Sequence, residues 1–235
     1  SMMLKGIEKI RGKKKRIILR ADFDVPVGTI DAMHPRIQSV LPTLRYLLKN
    51  QPQIFIFAHR GRPNGVKQMQ LSLRPFRQIL QKELANPVYF LTSPFSTTSM
   101  KALKSIPYPA VVIFENIRFF REEEENDARF AGLLARWGDI YINEAFANSH
   151  RLHASMVALA RRLPPYAGLR LASEITNLGR VLAHSRRPLV AISGGKKLET
   201  KLPLIEKFLD RGGEVLLGGT LANTLFHVKG FGVGK

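Results

Sequence analysis

Short apolar runs rich in β-branched and aromatic residues recur along the chain, separated by stretches in which apolar positions return every third or fourth residue. The runs are Arg16–Ala21, Gln53–Ala58, Val88–Leu91, Ala110–Phe114, Asp139–Asn143, Leu189–Ile192 and Glu214–Leu217. They are nearly continuous rather than alternating, which is the pattern of strands covered on both faces. Between them, Ile37, Val40, Leu41, Leu44, Leu47 and Leu48 form an apolar stripe at helical spacing. Phe76, Ile79, Leu80 and Leu84 form a second, Phe130, Leu133, Leu134 and Trp137 a third, and Leu171, Ile175, Leu178 and Leu182 a fourth. Pro42 lies inside the first stripe and predicts a kink, because proline removes a helical hydrogen bond. The acidic cluster Glu122–Glu125 reads as a solvated loop leading into a helix N-terminus, where negative charge is favourable.

Strands alternating with helices predict βαβ units, hence an α/β fold: a Rossmann-like parallel sheet with helices on both faces. Arg161-Arg162-Leu163-Pro164-Pro165 reads as a boundary, and a long amphipathic helix follows near 169–183. Arg186-Arg187-Pro188 then introduces a new strand. The expected organisation is an N-terminal domain over 1–168, a connecting helix or hinge over 169–185, and an incomplete second α/β domain over 186–235. That last stretch has room for only two strands and two helices.

Composition narrows the picture. Hydrophobic residues make up 45% of the 235 residues, enough for a sizeable core. The absence of cysteine excludes disulfides and cysteine–zinc sites and fits a reducing cytoplasm. No apolar run is long enough to span a membrane, and no apolar segment of a signal peptide follows Ser1-Met2-Met3-Leu4-Lys5. Ser1-Met2 ahead of a second Met reads as an expression remnant. The net charge of +19 fits either a basic proteome with a crowded Lys/Arg surface or an anionic ligand, and such a ligand would be nucleic acid or a small phosphorylated metabolite. The position of the charges separates these two classes.

Ligands of open parallel sheets bind beyond the carboxyl ends of the strands. Asp22-Phe23-Asp24 follows the first run, His59-Arg60-Gly61-Arg62 the second, and Glu115-Asn116-Ile117-Arg118 the fourth. Glu144, His150, Arg151 and His153 follow the fifth, and Arg36 opens the first helix. Arginine forks grip phosphate or carboxylate, and the aspartates can accept from a hydroxyl, so the set suits a small phosphorylated hydroxy acid. Any one of these residues alone reads as a surface charge, a loop histidine or a turn former; the agreement of four strand ends carries the signal. In the second lobe, Ser193-Gly194-Gly195-Lys196-Lys197 with Lys201, and then Gly218-Gly219, are glycine turns after strands. Such turns let backbone N–H groups approach phosphates, although neither has the spacing of a Walker A loop, and tight strand-to-helix packing would account for them equally.

These residues fall into motifs that resemble the phosphoglycerate kinase family. Arg20-Ala21-Asp22-Phe23-Asp24-Val25-Pro26 resembles RVDFNVP, and 58–65 resembles SHLGRPxG. Residues 114–119 resemble LENLRF, and 143–155 resemble NDAFGTAHRAHAS. Residues 194–201 resemble GGAKVxxK, and 217–224 resemble xGGGxANT. The resemblance covers essentially the whole chain, in family order. It implies reversible phosphoryl transfer between 1,3-bisphosphoglycerate and ADP, giving 3-phosphoglycerate and ATP in glycolysis. It further implies Mg²⁺ carried on the nucleotide with no protein metal ligand in this chain, hinged domain closure, and a cytoplasmic monomer.

By the same resemblance, Asp22, Phe23, Asp24, Arg36, His59, Arg60, Gly61, Arg62, Arg118 and Arg151 would bind 3-phosphoglycerate. Gly194, Gly195, Lys197, Lys201, Gly218 and Gly219 would face the nucleotide, with Arg36 and Lys197 clamping the transferring phosphoryl group. Family members continue well beyond the equivalent of Lys235, so the chain is expected to be truncated and inactive alone.

Departures from the motifs are also legible. Asp24 stands in place of Asn and adds a carboxylate beside a bound one. Arg60 replaces Leu and adds charge at the rim. Lys196 replaces a small residue, and Thr220 replaces the third glycine. The rival reading is a stand-alone basic α/β module holding a polyanion such as RNA, but the chain lacks basic residues interleaved with base-stacking aromatics.

Overall fold

A computed structural model describes residues 5–183, 187–195, 199 and 201–234. The chain divides into two compact units with a boundary after Thr176. The first holds strands β1 (Arg16–Arg20), β2 (Gln53–Phe57), β3 (Val88–Leu91), β4 (Ala110–Phe114), β5 (Ile140–Asn143) and β6 (Pro165–Ala167). All neighbours pair in parallel, in the order β3-β4-β2-β1-β5-β6. Its helices are α1 (Pro35–Leu48), α2 (Arg74–Glu83), α3 (Thr97–Ala102), α4 (Arg121–Glu124) and α5 (Ala128–Ala135). A further helix, α6 (Leu169–Ala183), runs across the boundary.

Period-2 side-chain alternation sorts the strands into two cores. Ile17 and Leu19, with Ile54 and Ile56, pack with Ile37, Leu41 and Leu44 of α1 and Phe76 and Leu80 of α2. Ile18, with Phe55, Phe57 and Tyr141, packs with Phe130 and Leu134 of α5 and with Trp137. Both faces are therefore covered, which is why these strands read as unbroken apolar runs. Trp137 is fully buried and donates its indole N–H to the Pro94 carbonyl at 2.9 Å.

The connection from β1 leads by α1 to β2 on one side, whereas β5 enters on the other side of β1. The chain thus reverses its order at β1, and the carboxyl ends of β2, β1 and β5 lie side by side at one sheet edge, where ligands of such sheets bind.

Pro42 lies inside α1, which is helical from Pro35 to Leu48. Two expectations change. Pro165 opens the short strand β6 instead of marking a boundary, and at a sheet edge a missing N–H is tolerated. The 122–125 cluster is not a solvated loop: α4 covers most of it, and Glu123 is fully buried.

The second unit pairs β7 (Val190–Gly194) in parallel with β8 (Glu214–Gly218), with α7 (Leu202–Asp210) and α8 (Thr220–Val228). Its strands alternate in exposure, leaving Ile192 83% and Leu216 55% exposed on one face. Among the described residues no helix is long and apolar enough to cross a membrane.

Candidate functional site

Four strand ends of the first unit deliver the charged residues to one edge. Beyond β1, the Asp22 carboxylate accepts from Arg36 Nη1, and Arg36 stands in the first turn of α1 behind the capping residue His34. Asp22 also accepts from the Asp24 amide at 3.2 Å, which shapes the loop. Asp24 Oδ1 accepts from the Gly61 amide at 2.8 Å, and its Oδ2 lies 3.6 Å from His59 Nε2. His59, the Gly61 amide and Arg36 hold the Asp24 carboxyl well below the usual carboxylate range, so it is ionised at neutral pH.

Beyond β2, His59 is fully buried, and burial together with Arg20 and Arg118 pushes its pKa down to about 4. Gly61 adopts φ +64°, and an added Cβ would stand 2.8 Å from Leu71 Cδ2. Beyond β4, the Asn116 side-chain amide donates to the carbonyls of Arg60 (2.7 Å) and Leu71 (3.0 Å). Asn116 Oδ1 accepts from the Arg118 amide at 3.1 Å. Asn116 thereby fastens the 60–71 loop to the turn that presents Arg118.

Arg118 is only 1% exposed. Its Nη1 donates to the Gly61 carbonyl at 2.9 Å, and its Nε lies 3.7 Å from Glu124. Burial and the nearby Arg151 lower its pKa to about 10, so it still carries its charge at neutral pH. Beyond β5, His153 has its pKa lowered to about 4 by burial and by Arg118, Arg151 and Arg20.

Unpaired donors dominate this edge. Among the described residues, Arg118 Nε and Nη2, Arg151 Nε, Asn148 Nδ2, His59 Nε2, His153 Nδ1 and one acceptor, Glu144 Oε2, are buried with no hydrogen-bond partner. Four of these atoms belong to groups that can only donate there, and a buried unpaired donor costs about 1–3 kcal/mol. Arg62 is exposed and has no hydrogen bond or ion pair among the described residues. An edge so rich in donors suits an anion with several acceptor oxygens.

Two residues expected here act differently. Arg60 is not at the rim: it is 2% exposed and donates to the carbonyls of Val25 (2.6 Å), Pro26 (2.7 Å) and Gln70 (3.0 Å). It braces the Asp24 loop against the 60–71 loop. Phe23 turns its ring into the core, stacked on Phe76 with ring centroids 4.6 Å apart. Only the backbone of Phe23 could reach a ligand.

Residues that sequence reasoning passed over support the site from behind. Arg20 ends β1 fully buried, Glu123 and Ser155 are fully buried beside it, and Tyr141 Oη donates to the Ser155 carbonyl at 2.8 Å. The sequence did hold one signal, a charged residue in an apolar strand, since such a residue is rarely buried unpaired.

In the second unit, Gly195 (φ +126°) and Gly219 (φ +62°) occupy backbone conformations that other residues rarely adopt. An added Cβ would meet nothing at Gly195, Gly218 or Gly219, so the backbone there is open to approach. Gly194 and Lys201 line a concavity of about 360 Å³ with Ser193, Leu204 and Phe208. Lys196 and Lys197 lie outside the described residues. No group of three or more His, Cys, Asp or Glu able to hold a metal ion occurs among the described residues.

Residues 7–235 match the family model described as phosphoglycerate kinase. The phosphoglycerate kinase of Desulforudis audaxviator (strain MP104C) is 38% identical over 232 residues, covering 97% of this chain and 59% of the relative. That of Maricaulis maris (strain MCS10) is 39% identical over 224 residues, covering 94% and 55%. Among solved structures, phosphoglycerate kinase from Coxiella burnetii superposes with a TM-score of 0.84 at 31% identity, covering 99% of this chain and 59% of that one. The enzyme from Pyrococcus horikoshii OT3 gives a TM-score of 0.86 at 29% identity, with the same coverage. The chain spans between half and two thirds of the length of these relatives.

Proposed function

The chain belongs to the phosphoglycerate kinase family, and from that premise we propose that its larger unit binds 3-phosphoglycerate as one half of a phosphoryl-transfer enzyme. The observation that carries the reading is the set of buried donors on Arg118, Arg151 and Asn148 without protein acceptors, beside the exposed Arg62. Phosphate and carboxylate oxygens would satisfy them, while Asp22 and Asp24 would accept from the ligand's hydroxyl.

The reaction we assign is transfer of a phosphoryl group between 1,3-bisphosphoglycerate and ADP. Such transfer depends on positioning and on neutralising the charge of the moving group. Arg36, tied to Asp22 at the start of α1, would clamp the transferring phosphoryl group together with Lys197. In the smaller unit, Gly194, Gly195, Gly218, Gly219 and Lys201 would face the nucleotide phosphates, and Lys197 would join them. Mg²⁺ would supply charge neutralisation as part of the nucleotide complex. Family membership does not favour the rival reading of a polyanion-binding module.

Titration calorimetry of the full chain with 3-phosphoglycerate tests the reading. Saturable binding is expected, weakened at least about tenfold by Arg118→Met, which removes a buried charge-assisted donor set. Absence of any heat at millimolar ligand would refute it.

A further inference from the structure

We propose that Arg20 is the positioning residue of this site: without touching the ligand, it fixes the neutral His59 ring in the tautomer that carries its proton on Nε2, and the buried Ser155–Glu123 pair holds it there. What Nε2 faces rests on the function proposed above; the tautomer itself does not.

Arg20 ends β1 on the sheet face shared by Ile18, where a side chain must be buried. A buried guanidinium has to spend its donors, and each of the three nitrogens of Arg20 has an identified partner. Nε donates to Ser155 Oγ at 2.8 Å and Nη1 to the Ala21 carbonyl at 2.5 Å. Nη2 lies 2.9 Å from His59 Nδ1.

The direction of the first contact is set by Glu123. Ser155 Oγ lies 2.6 Å from Glu123 Oε1, and the Ser155 amide donates to Oε2 at 2.9 Å. The hydroxyl has one proton; it gives it to the carboxylate and accepts from Arg20. Glu123 is therefore the counter-charge of Arg20, one hydroxyl removed. Tyr141, bonded to the Ser155 carbonyl, fixes the serine from the other side.

The direction of the last contact is set by chemistry alone. Guanidinium has no acceptor, so the nitrogen it meets must present a lone pair. That excludes the imidazolium, and it excludes the tautomer protonated on Nδ1, because either would set N–H against N–H at 2.9 Å. The remaining form carries its proton on Nε2, which lies 3.6 Å from Asp24 Oδ2 and has no hydrogen-bond partner among the described residues. The charged groups acting on the ring are Arg20, Arg118 and Asp24. Arg20 thus keeps a neutral N–H donor on the side of the ionised Asp24, without adding a further charge.

The test is long-range ¹H–¹⁵N spectroscopy of the histidine rings in the labelled full chain without ligand. His59 should show a bare Nδ1 and a protonated Nε2 from about pH 6 to about pH 8, the range in which an ordinary histidine titrates. Arg20→Met should mix the tautomers, return the titration towards about pH 6.5, and weaken 3-phosphoglycerate binding about tenfold. Arg20→Lys, which can still donate to Nδ1, should restore most of the tautomer preference and part of the affinity. A protonated Nδ1 in the unmodified chain overturns the proposal, even if the Arg20→Met variant does not fold. An unchanged tautomer in Arg20→Met also overturns it. Ligand binding with a bare Nε2 would refute this proposal alone. The Nε2–H form in a chain that binds no 3-phosphoglycerate would support it and refute only the ligand reading.

Discussion

Acidification should weaken the larger unit through His59, and the size of the effect follows from where the ring sits. An ordinary histidine titrates near pH 6.5, whereas burial beside Arg20 and Arg118 holds His59 near 4 in the folded chain. Between those values the unfolded chain binds the extra proton and the folded chain does not. Stability from this group is therefore fully present above about pH 6.5 and is lost as pH falls towards 4. With these two constants the loss between pH 7.5 and pH 5 is about 2 kcal/mol, approaching about 3 kcal/mol below pH 4.

His153 shifts in the same direction for the same reasons. Glu123 and Glu144 act oppositely, since burial raises both, and they lose stabilising effect as pH rises. The His59 contribution is isolated by comparing His59→Gln with the unmodified chain. Urea unfolding of each, followed at pH 7.5 and pH 5, reports the difference. Trp137 is the chain's single tryptophan and is fully buried in the larger unit, so its fluorescence follows that unit alone. The variant should lose about 2 kcal/mol less than the unmodified chain over this interval. Equal losses in the two proteins would show that His59 is not held neutral by its surroundings.

Two further changes probe the scaffold. Gly61→Ala forces a Cβ onto a backbone at φ +64° and against Leu71, and should cost about 1–2 kcal/mol by urea unfolding while weakening 3-phosphoglycerate binding. Gly28→Ala, at φ +83° with open space around it, is the control that carries the backbone strain alone and should leave binding unchanged. Glu144→Ala should cost about 1–2 kcal/mol by the same assay, because Glu144 Oε1 accepts from Thr43 Oγ1 at 2.8 Å and from the Arg170 amide at 3.0 Å in the first turn of α6.

The strands were legible because both faces of the sheet are covered, so each interior strand announces itself as an apolar run. β6 escaped because it is three residues long, begins with proline and has β5 as its one neighbouring strand, with a single bridge from Ala167 to Gly6 on the other side. The cations at the strand ends were legible as a set, since the rule that ligands meet the carboxyl edge of a parallel sheet needs only the order of elements. Their individual roles were not. Arg60 and Arg62 are two residues apart, yet one is buried against three carbonyls and the other is exposed. Nothing local distinguishes them, because the carbonyls belong to Val25, Pro26 and Gln70. Glu123 was misread for the same reason: among four consecutive glutamates only its partner, Ser155, singles it out, and that residue is 32 positions away.

The long-range pairings also explain how a site with so many arginines stays folded. Arg36 meets Asp22, Arg118 approaches Glu124, His59 faces Asp24, and Arg20 reaches Glu123 through Ser155. Each of these three arginines has an acid nearby, which limits mutual repulsion, but the contacts of Arg118 and of the neutral His59 are too long to be hydrogen bonds. The positive potential is tempered while the donors stay uncommitted. Their desolvation is a standing cost to the fold, offset by the two apolar cores, and the proposed anion would recover it by supplying acceptors. Asp24 fits this division. Its side chain is 36% exposed, whereas that of Arg118 is 1% exposed. On the function proposed above, an incoming anion would be repelled at the outer carboxylate and held at the inner guanidinium, which would favour ligands that present a hydroxyl to Asp24 and direct their charge towards Arg118.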